Sequence, residues 1–381
     1  MKNLSCLILA LLMVIGLVGC GEAAPESTTI AATETTSAPA QATEETTAPT
    51  EFVAPEPVDP LAVSDYTPYL CPWTAEDLAK ARSDGKMHYF FMAAEGLYIS
   101  LGQQNADKWG DSTLVVFPNG ELMLIDCGPS KYGPVLLRNL QQMGVERLDY
   151  IFVSHPHSDH QNGGFDEFNK DGGILDVIGV DQVYWRYAGG AGSDKDWMVG
   201  KVCEEKNIPC QAVAKGTVLE FGDVTMKVLW PREEDTQIMI PAGDINDKSI
   251  VHRFDFKEHS AIFSADLYFA GEEALLADIE DPALLDADFL KVPHHGHATS
   301  SSPEFIAAVS PELSVAMARV PIVAKVRDFY SALGSELLYD LVNGYIHVTA
   351  DADGNLEYTT TRNHDPNRQA ELNTPSATLK P

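Results

Sequence analysis

The chain has 381 residues, with 26 basic and 56 acidic side chains and a formal net charge of -30 at pH 7. So acidic a surface excludes broad, sequence-independent binding to nucleic acid, which needs a cationic face, though it leaves room for a locally basic cleft. Both ends lack the apolar periodicity of folded segments, so roughly 300 residues remain for one large domain.

The first segment reads MKNLSCLILALLMVIGLVGC. Lys2 gives a positive start, and an apolar run extends from Leu4 to Val18. That run is short for a membrane span and fits the apolar region of a secretory signal. The string LVGC at Leu17–Cys20 resembles the lipobox of bacterial lipoproteins. The resemblance implies a signal peptide over residues 1–19 and cleavage before Cys20. It also implies a lipid on the Cys20 sulfur, with the membrane as its partner, and residence on the extracellular face of the bacterial cell membrane. Two acyl chains suffice for stable anchoring. Residues 20–60 are dominated by Thr, Ala, Pro and Glu, with eight acidic residues and no basic one. Such a segment buries too little apolar surface to offset its ordering entropy, and reads as an extended, disordered linker. Residues 61–85 form a lead-in, residues 86–361 the predicted domain, and residues 362–381 a second unstructured tail.

Within the domain, KMHYFFMA and GLYISLG read as strands. STLVVF and ELMLIDCG follow, joined by Pro118-Asn119-Gly120, a hairpin turn. Val135, Leu136, Leu140 and Met143 have helical spacing, with Gly144 as the stop. LDYIFVSH is a nearly continuous apolar run, as in a buried strand. VYWRYAG reads as a strand whose aromatics Tyr184, Trp185 and Tyr187 pack in the core or border a cleft; WMVGKVCEEKN reads as a helix and IPCQAV as a strand. TVLEFGDVTMKVLWP forms a hairpin around Gly222-Asp223, and KSIVHRFDF pairs with SAIFSAD. Helices are predicted over GEEALLADI, SPEFIAAV and SELLYDLV, strands over ADFLKVP, LSVAMAR and YIHVTADADGNLEYTT. Strands followed by a helix, twice over, suggest two sheets with helices outside. Cys203 and Cys210 are spaced to close a small disulfide loop or to remain two thiols, and no set of paired cysteines suggests structural zinc.

The chemistry concentrates in VSHPHSDHQNGG, which carries His155, His157, Asp159 and His160 directly after a buried strand. Loops at strand ends are fixed by the scaffold and carry function. Imidazole and carboxylate groups turned toward one point are good ligands for zinc, manganese or iron. The string resembles the H-x-H-x-D-H signature of the metallo-β-lactamase superfamily. LMLIDCG, IFSADLYFAGEEALL and LKVPHHGHATSSSPEFI resemble that family's remaining motifs in order, and the wording KVPHHG…SS is most similar to the hydrolase domain of the ComEC group of DNA-uptake proteins. The resemblance covers about Lys86 to Thr361.

What the resemblance implies is an α/β fold of the four-layer αββα metallo-β-lactamase type, binding two divalent metal ions, zinc or manganese. His155 and His157 would hold the first ion, Asp159, His160 and His294 the second, and Asp266 would bridge them. Asp126 would orient the histidine loop by hydrogen bonds. Water between two cations loses a proton near neutral pH and becomes the nucleophile. Asp159 and Asp266 would be the catalytic carboxylates, and His295, with His297 beside it, could donate a proton to the leaving group or bind a substrate anion. The implied reaction is phosphodiester hydrolysis, on nucleic acid or a cell-wall polymer at the surface. A lactone or β-lactam hydrolase is the alternative enzyme, and a metal-stabilised binding module the non-enzymatic one. His297, and the motif-free His88, His252, His259, His347 and His364, read as structural or exposed. Ser300–Ser302 read as a helix cap before Pro303. Two departures stand out. GDINDKSIVHRF occupies the region where many members supply a further histidine, leaving Asn246 and Asp247 as possible substitutes. ARVPIVAKVRDFYS replaces a segment that relatives use for contacts, with Lys325 and Arg327 as candidate anion-binding groups.

Overall fold

The computed structural model describes residues 70–92, 110–130, 132–166, 173–186, 196–236, 245–318 and 322–361. Cys20, the signal, the linker, the tail with His364, the strand expected over GLYISLG and the end of VYWRYAG at Tyr187 lie outside the described residues.

The first strands are β1 (Met87–Phe91), β2 (Thr113–Val116), β3 (Leu122–Ile125), β4 (Arg147–Val153), β5 (Gly179–Trp185) and β6 (Cys210–Ala212). The second group is β7 (Val218–Phe221), β8 (Val224–Trp230), β9 (Val251–Phe256), β10 (His259–Phe263), β11 (Phe289–Lys291), β12 (Leu313–Ala316) and β13 (Glu336–Tyr339). The last are β14 (Ile346–Ala350) and β15 (Leu356–Thr360). An eight-stranded sheet runs β15-β14-β1-β2-β3-β4-β5-β6, and a seven-stranded sheet runs β13-β12-β11-β10-β9-β8-β7. In each, antiparallel hairpins give way to parallel strands, from β3 to β6 and from β10 to β13. Parallel neighbours need crossovers, and helices such as Gly133–Gln142, Asp196–Lys206 and Phe269–Asp278 make them.

Side-chain alternation sorts the core into three slabs. Tyr89, Phe91, Val115, Met123 and Phe152 meet Phe221, Phe254, Phe263 and Phe289 between the sheets. On the outer face of the larger sheet, Phe90, Leu114, Leu124 and Ile151 pack on helical Val135, Leu136, Leu140 and Val199. On the outer face of the smaller sheet, Ile262 and Leu290 pack on Leu275, Phe305, Ile306 and Val326. The order is helix, sheet, sheet, helix, as the αββα expectation has it. The lead-in joins this packing: Trp73 and Leu78 are buried, and Thr74 and Asp77 cap the helix Ala75–Ala81 reciprocally.

The hairpin at Pro118-Asn119-Gly120 forms as expected, with Gly120 at φ 86 and Phe117 N–H donating to Glu121 O at 2.9 Å. One assignment is corrected. SELLYDLV is helical only at its end: Gly334, at φ 79, ends the preceding helix Ala324–Leu333, Glu336–Tyr339 pairs in parallel with Leu313–Ala316, and a short helix Asp340–Asn343 follows. Its helical spacing is overridden by the ladder that the edge of the smaller sheet offers. Cys203 is buried and Cys210 exposed; both are free thiols whose side chains hydrogen-bond to one another.

Candidate metal centre

The site is assembled at the carboxyl ends of four strands. Asp126 follows β3, His155 follows β4, Asp266 lies three residues beyond β10 and His294 three residues beyond β11. Parallel pairing of β3 with β4 and of β10 with β11 brings these ends together from both sheets. The backbone is bent sharply to do so: Asp126, Ala265, His294 and His295 have φ of 57, 46, 44 and 55. Left-handed backbone at non-glycine residues is costly and concentrates at functional sites.

The Asp266 carboxylate is the hub. Its Oδ2 lies 3.2 Å from His160 Nε2, 3.3 Å from His295 Nε2, 3.8 Å from His155 Nε2 and 3.9 Å from His294 Nε2. Each of these rings is held from behind at Nδ1. His160 Nδ1 is 2.7 Å from Asp126 Oδ2, and His155 Nδ1 is 3.0 Å from Ser154 Oγ. His294 Nδ1 is 2.5 Å from Thr299 Oγ1, and His295 Nδ1 is 2.9 Å from Met317 O and 3.1 Å from Asp111 Oδ1. At His160 and His295 the partner oxygen can only accept, and the same holds at His155, because Ser154 already donates its O–H to Asp126. In these three rings Nδ1 carries the N–H and the Nε2 lone pair turns inward, the usual support of a metal-ligating histidine. Asp126 does more than hold His160: it also accepts from Ser154 N–H at 2.8 Å and Ser154 O–H at 2.7 Å, tying the histidine loop to β3.

Around Asp266 two sets of side chains offer ligand atoms that converge, each within 4.8 Å: Asp159, His160, Asp266 and His295, and His155, His157 and Asp266, while Asp111, Asp126 and His160 make a third set without it. Asp266 belongs to both of the first two. The first set contains His295, expected as the proton donor. His294 stands at the rim, its side chain 15% exposed against 1% for His295, with its ring 4.7 Å from that of Tyr268.

The residues fit a cation. Nε2 of His155, Nε2 of His160 and Oδ1 of Asp266 are buried and make no hydrogen bond among the described residues. Buried polar atoms left so are costly unless a ligand completes them. Burial disfavours charge on His160, but Asp266 and Asp126 outweigh it and hold the ring well above the ordinary histidine range. Asp266 and Asp111 do the same for His295. Burial would raise the Asp266 carboxyl, yet His295 and His160 hold it well below the usual carboxylate range. The centre thus demands positive charge. A proton and a divalent cation compete for the same Nε2 lone pairs, so cation uptake releases protons.

The sequence reading missed Asp111, Lys291 and Ser154. Lys291 forms a buried ion pair with Asp111, the two side chains 3% and 6% exposed, and Asp111 in turn braces His295. The available signal was one charge next to the apolar run of β2 and another inside β11. Asp247 was weighed as an extra ligand. Its Oδ1 instead accepts from Gly271 N–H at 2.9 Å, and it joins none of the converging sets among the described residues. The serines divide: Ser302 caps the helix Pro303–Val309 through Phe305 N–H, whereas Ser300 O–H donates to Pro293 O and Ser301 Oγ meets Tyr330 OH. Lys325 lies over the Phe329 ring, 5.6 Å from its centroid.

Two curated relatives match part of the chain. ComE operon protein 3 of Bacillus subtilis (strain 168) is 26% identical over 190 residues, 48% of this chain and 21% of that protein. Competence protein ComA of Neisseria gonorrhoeae is 30% identical over 183 residues, 48% of this chain and 21% of that protein. The chain therefore spans about a fifth of the length of these relatives. Among solved structures, the metallo-beta-lactamase fold protein YhfI of Bacillus subtilis aligns over 66% of this chain and 95% of its own, with a TM-score of 0.41 and 14% identity. A diphosphatase of the PhnP family aligns over 66% and 94%, with a TM-score of 0.38 and 13% identity. The family model described as the metallo-beta-lactamase superfamily matches residues 109–318, more than half of the chain and all four motifs above, and the chain belongs to that superfamily.

Proposed function

We propose that this protein is a surface-anchored hydrolase that cleaves phosphodiesters with two divalent cations, zinc or manganese, held between its sheets. The observation that carries the reading is the ring of imidazole Nε2 atoms around the buried Asp266 carboxylate, each ring braced at Nδ1 by an oxygen. In this reading His155 and His157 hold one cation, Asp159, His160 and His295 the other, and Asp266 is shared. A purely structural site has no use for two sets joined by one carboxylate.

When bound, divalent cations supply Lewis acidity and an activated water at neutral pH. The rest falls to the chain. Asp126 and Asp111 keep the Nδ1 protons of His160 and His295 in place, so both rings present Nε2 to the centre. The buried Lys291–Asp111 pair, neutral overall, keeps the Asp111 carboxylate ionised and fixed against His295 Nδ1. His294, at the rim beside Tyr268 and His297, would offer its Nε2 as a further ligand atom toward Asp266, since burial keeps its ring neutral.

The competence names of the curated relatives favour a phosphodiester over other esters. The lipobox-like LVGC before an acidic, extended segment supports anchoring through Cys20. Among the described residues no helix is long and apolar enough to cross a membrane. The deciding assay is turnover of bis(p-nitrophenyl) phosphate by protein loaded with zinc or manganese, run beside nitrocefin and a simple lactone. Phosphodiester turnover that chelation abolishes is the expected result. Turnover of nitrocefin or the lactone alone moves the substrate to the alternative class, and no turnover with both cations bound leaves a binding module. Cys20→Ala should release the full chain from the membrane fraction, and retention there would remove the anchor.

A further inference from the structure

A second group of histidines lies on the far side of the larger sheet, away from the Asp266 centre. There a pocket of ≈ 540 Å³ opens on the outer face of β1, β14 and β15. His88 and Phe90 of β1, His347 and Thr349 of β14, and Glu357 and Thr359 of β15 line it. They share this face by register, since His88 is paired with Thr349, Phe90 with His347 and Thr349 with Glu357. The helix Ala75–Ala81 and the turn after it form one wall with Asp77, Lys80 and Asp84.

His88 Nε2 lies 2.9 Å from Asp84 Oδ1, and the His88 side chain is 5% exposed. The Asp84 carboxylate accepts that N–H, which leaves the Nδ1 lone pair of His88 free to face His347. His88 Nδ1 is 3.0 Å from His347 Nε2. Thr349 Oγ1 is 3.4 Å from the first nitrogen and 3.5 Å from the second. These three atoms form a triangle whose edges suit a cation about 2.0 Å from each, the distance for zinc bound to imidazole. The His347 ring is held flat against Phe90, with centroids 3.9 Å apart and planes 9° apart. The charged groups lining the pocket are Asp77, Asp84 and Glu357 against Lys80 and Lys86, an acidic balance.

We propose that His88 Nδ1, His347 Nε2 and Thr349 Oγ1 form a separate binding site for a divalent transition cation of the zinc, nickel or copper class. Asp84 is its positioning carboxylate, as in a carboxylate–histidine–metal string. Solvent in the pocket completes the shell. On binding, the proton shared between the rings moves from His347 Nε2 to Nδ1 of the same ring, so neither imidazole changes charge. Borderline ions with imidazole preference fit this set, and magnesium or calcium do not. The site would clamp β1 to β14 and to the turn carrying Asp84.

The test uses the full chain and zinc chloride. Crystals soaked in zinc at micromolar excess are measured at the zinc absorption edge. The proposal expects an anomalous peak within bonding distance of His88 Nδ1 and His347 Nε2, distinct from any peak at Asp266. In solution, wild type should bind one equivalent of zinc more than His347→Phe, a substitution that keeps the stack on Phe90. Peaks at Asp266 with none between the two rings, or equal zinc content in both proteins, would overturn it and leave an ordinary hydrogen bond. The crystal measurement stands on wild type alone, so a poorly folding variant does not spare the proposal. An empty Asp266 centre would bear on the proposed hydrolase and not on this site.

Discussion

The glycines that close the histidine motif make a sharp prediction. The helix Ser158–Phe165 presses directly on the turn Asp126–Gly128. Cys127 N–H donates to His160 O at 2.6 Å, and Gly163 N–H donates to Gly128 O at 2.7 Å. A Cβ at Gly163 would sit 1.9 Å from Cys127 O, 2.9 Å from Cys127 C and 3.1 Å from Gly128 O. The obstacle is backbone, so Gly163→Ala must push the helix off the turn by about 1 Å. Overpacking of this kind costs about 1–3 kcal/mol. Losing two backbone hydrogen bonds adds about 1 kcal/mol each, for a total of about 3–5 kcal/mol. The same shift carries His160 away from Asp126 and Asp266. Gly164→Ala is the control, because its Cβ meets the Cys127 side chain, with Sγ at 2.8 Å, and that side chain can turn aside. It should cost about 1–2 kcal/mol. Urea unfolding at constant slope reads both values, and elemental analysis reads the metal content. If Gly163→Ala unfolds within about 1 kcal/mol of wild type, or no earlier than Gly164→Ala, the close-approach argument fails.

Two further predictions follow from buried charge. Lys291→Met leaves the Asp111 carboxylate without its buried cation and should cost about 3–5 kcal/mol, with part of the loss recovered in the Lys291→Met/Asp111→Asn double variant. A double variant no more stable than the single one would mean that the pair is not coupled. His259 is buried against the Tyr89 hydroxyl at 3.0 Å, and burial pushes it down to about 4. Its folded value lies below the unfolded value of about 6.5, so the unfolded chain binds the extra proton in that window. Stability should therefore fall as pH drops from 6.5 toward 4, by up to about 3 kcal/mol from this group, and level off below. His259→Gln should flatten that slope in unfolding measured at pH 7 and at pH 4.5, and an unchanged slope would assign the acid sensitivity elsewhere.

Much of this site could be read from the chain because its ligands are local. His155, His157, Asp159 and His160 fall within one turn after β4, and a strand end followed by such residues has few other uses. Asp126 and Asp266 are legible through the resemblance of LMLIDCG and IFSADLYFAGEEALL to the family's motifs. What could not be read depends on contacts distant in sequence. Asp111 and Lys291 meet only because β2 and β11 lie in opposite sheets whose ends converge. Each taken singly is a charge near an apolar run. Adjacent His294 and His295 are indistinguishable as letters, and only the packing of the folded site leaves one ring at the rim and buries the other. The strand Glu336–Tyr339 was hidden because its apolar spacing also suits a helix, and only the free edge of β12 selects the extended form. His88 and His347 were set aside as isolated histidines, since hairpin register, not motif, places them side by side.

The central claim is that one carboxylate serves two cations, and metal content of Asp266→Asn tests it most directly. Wild type loaded with zinc or manganese and freed of excess should retain both ions at the centre. The account predicts that Asp266→Asn, folded by circular dichroism, loses both together, because both sets of ligand atoms proposed to hold the cations include Asp266. Full retention of both ions in that variant would contradict the shared carboxylate.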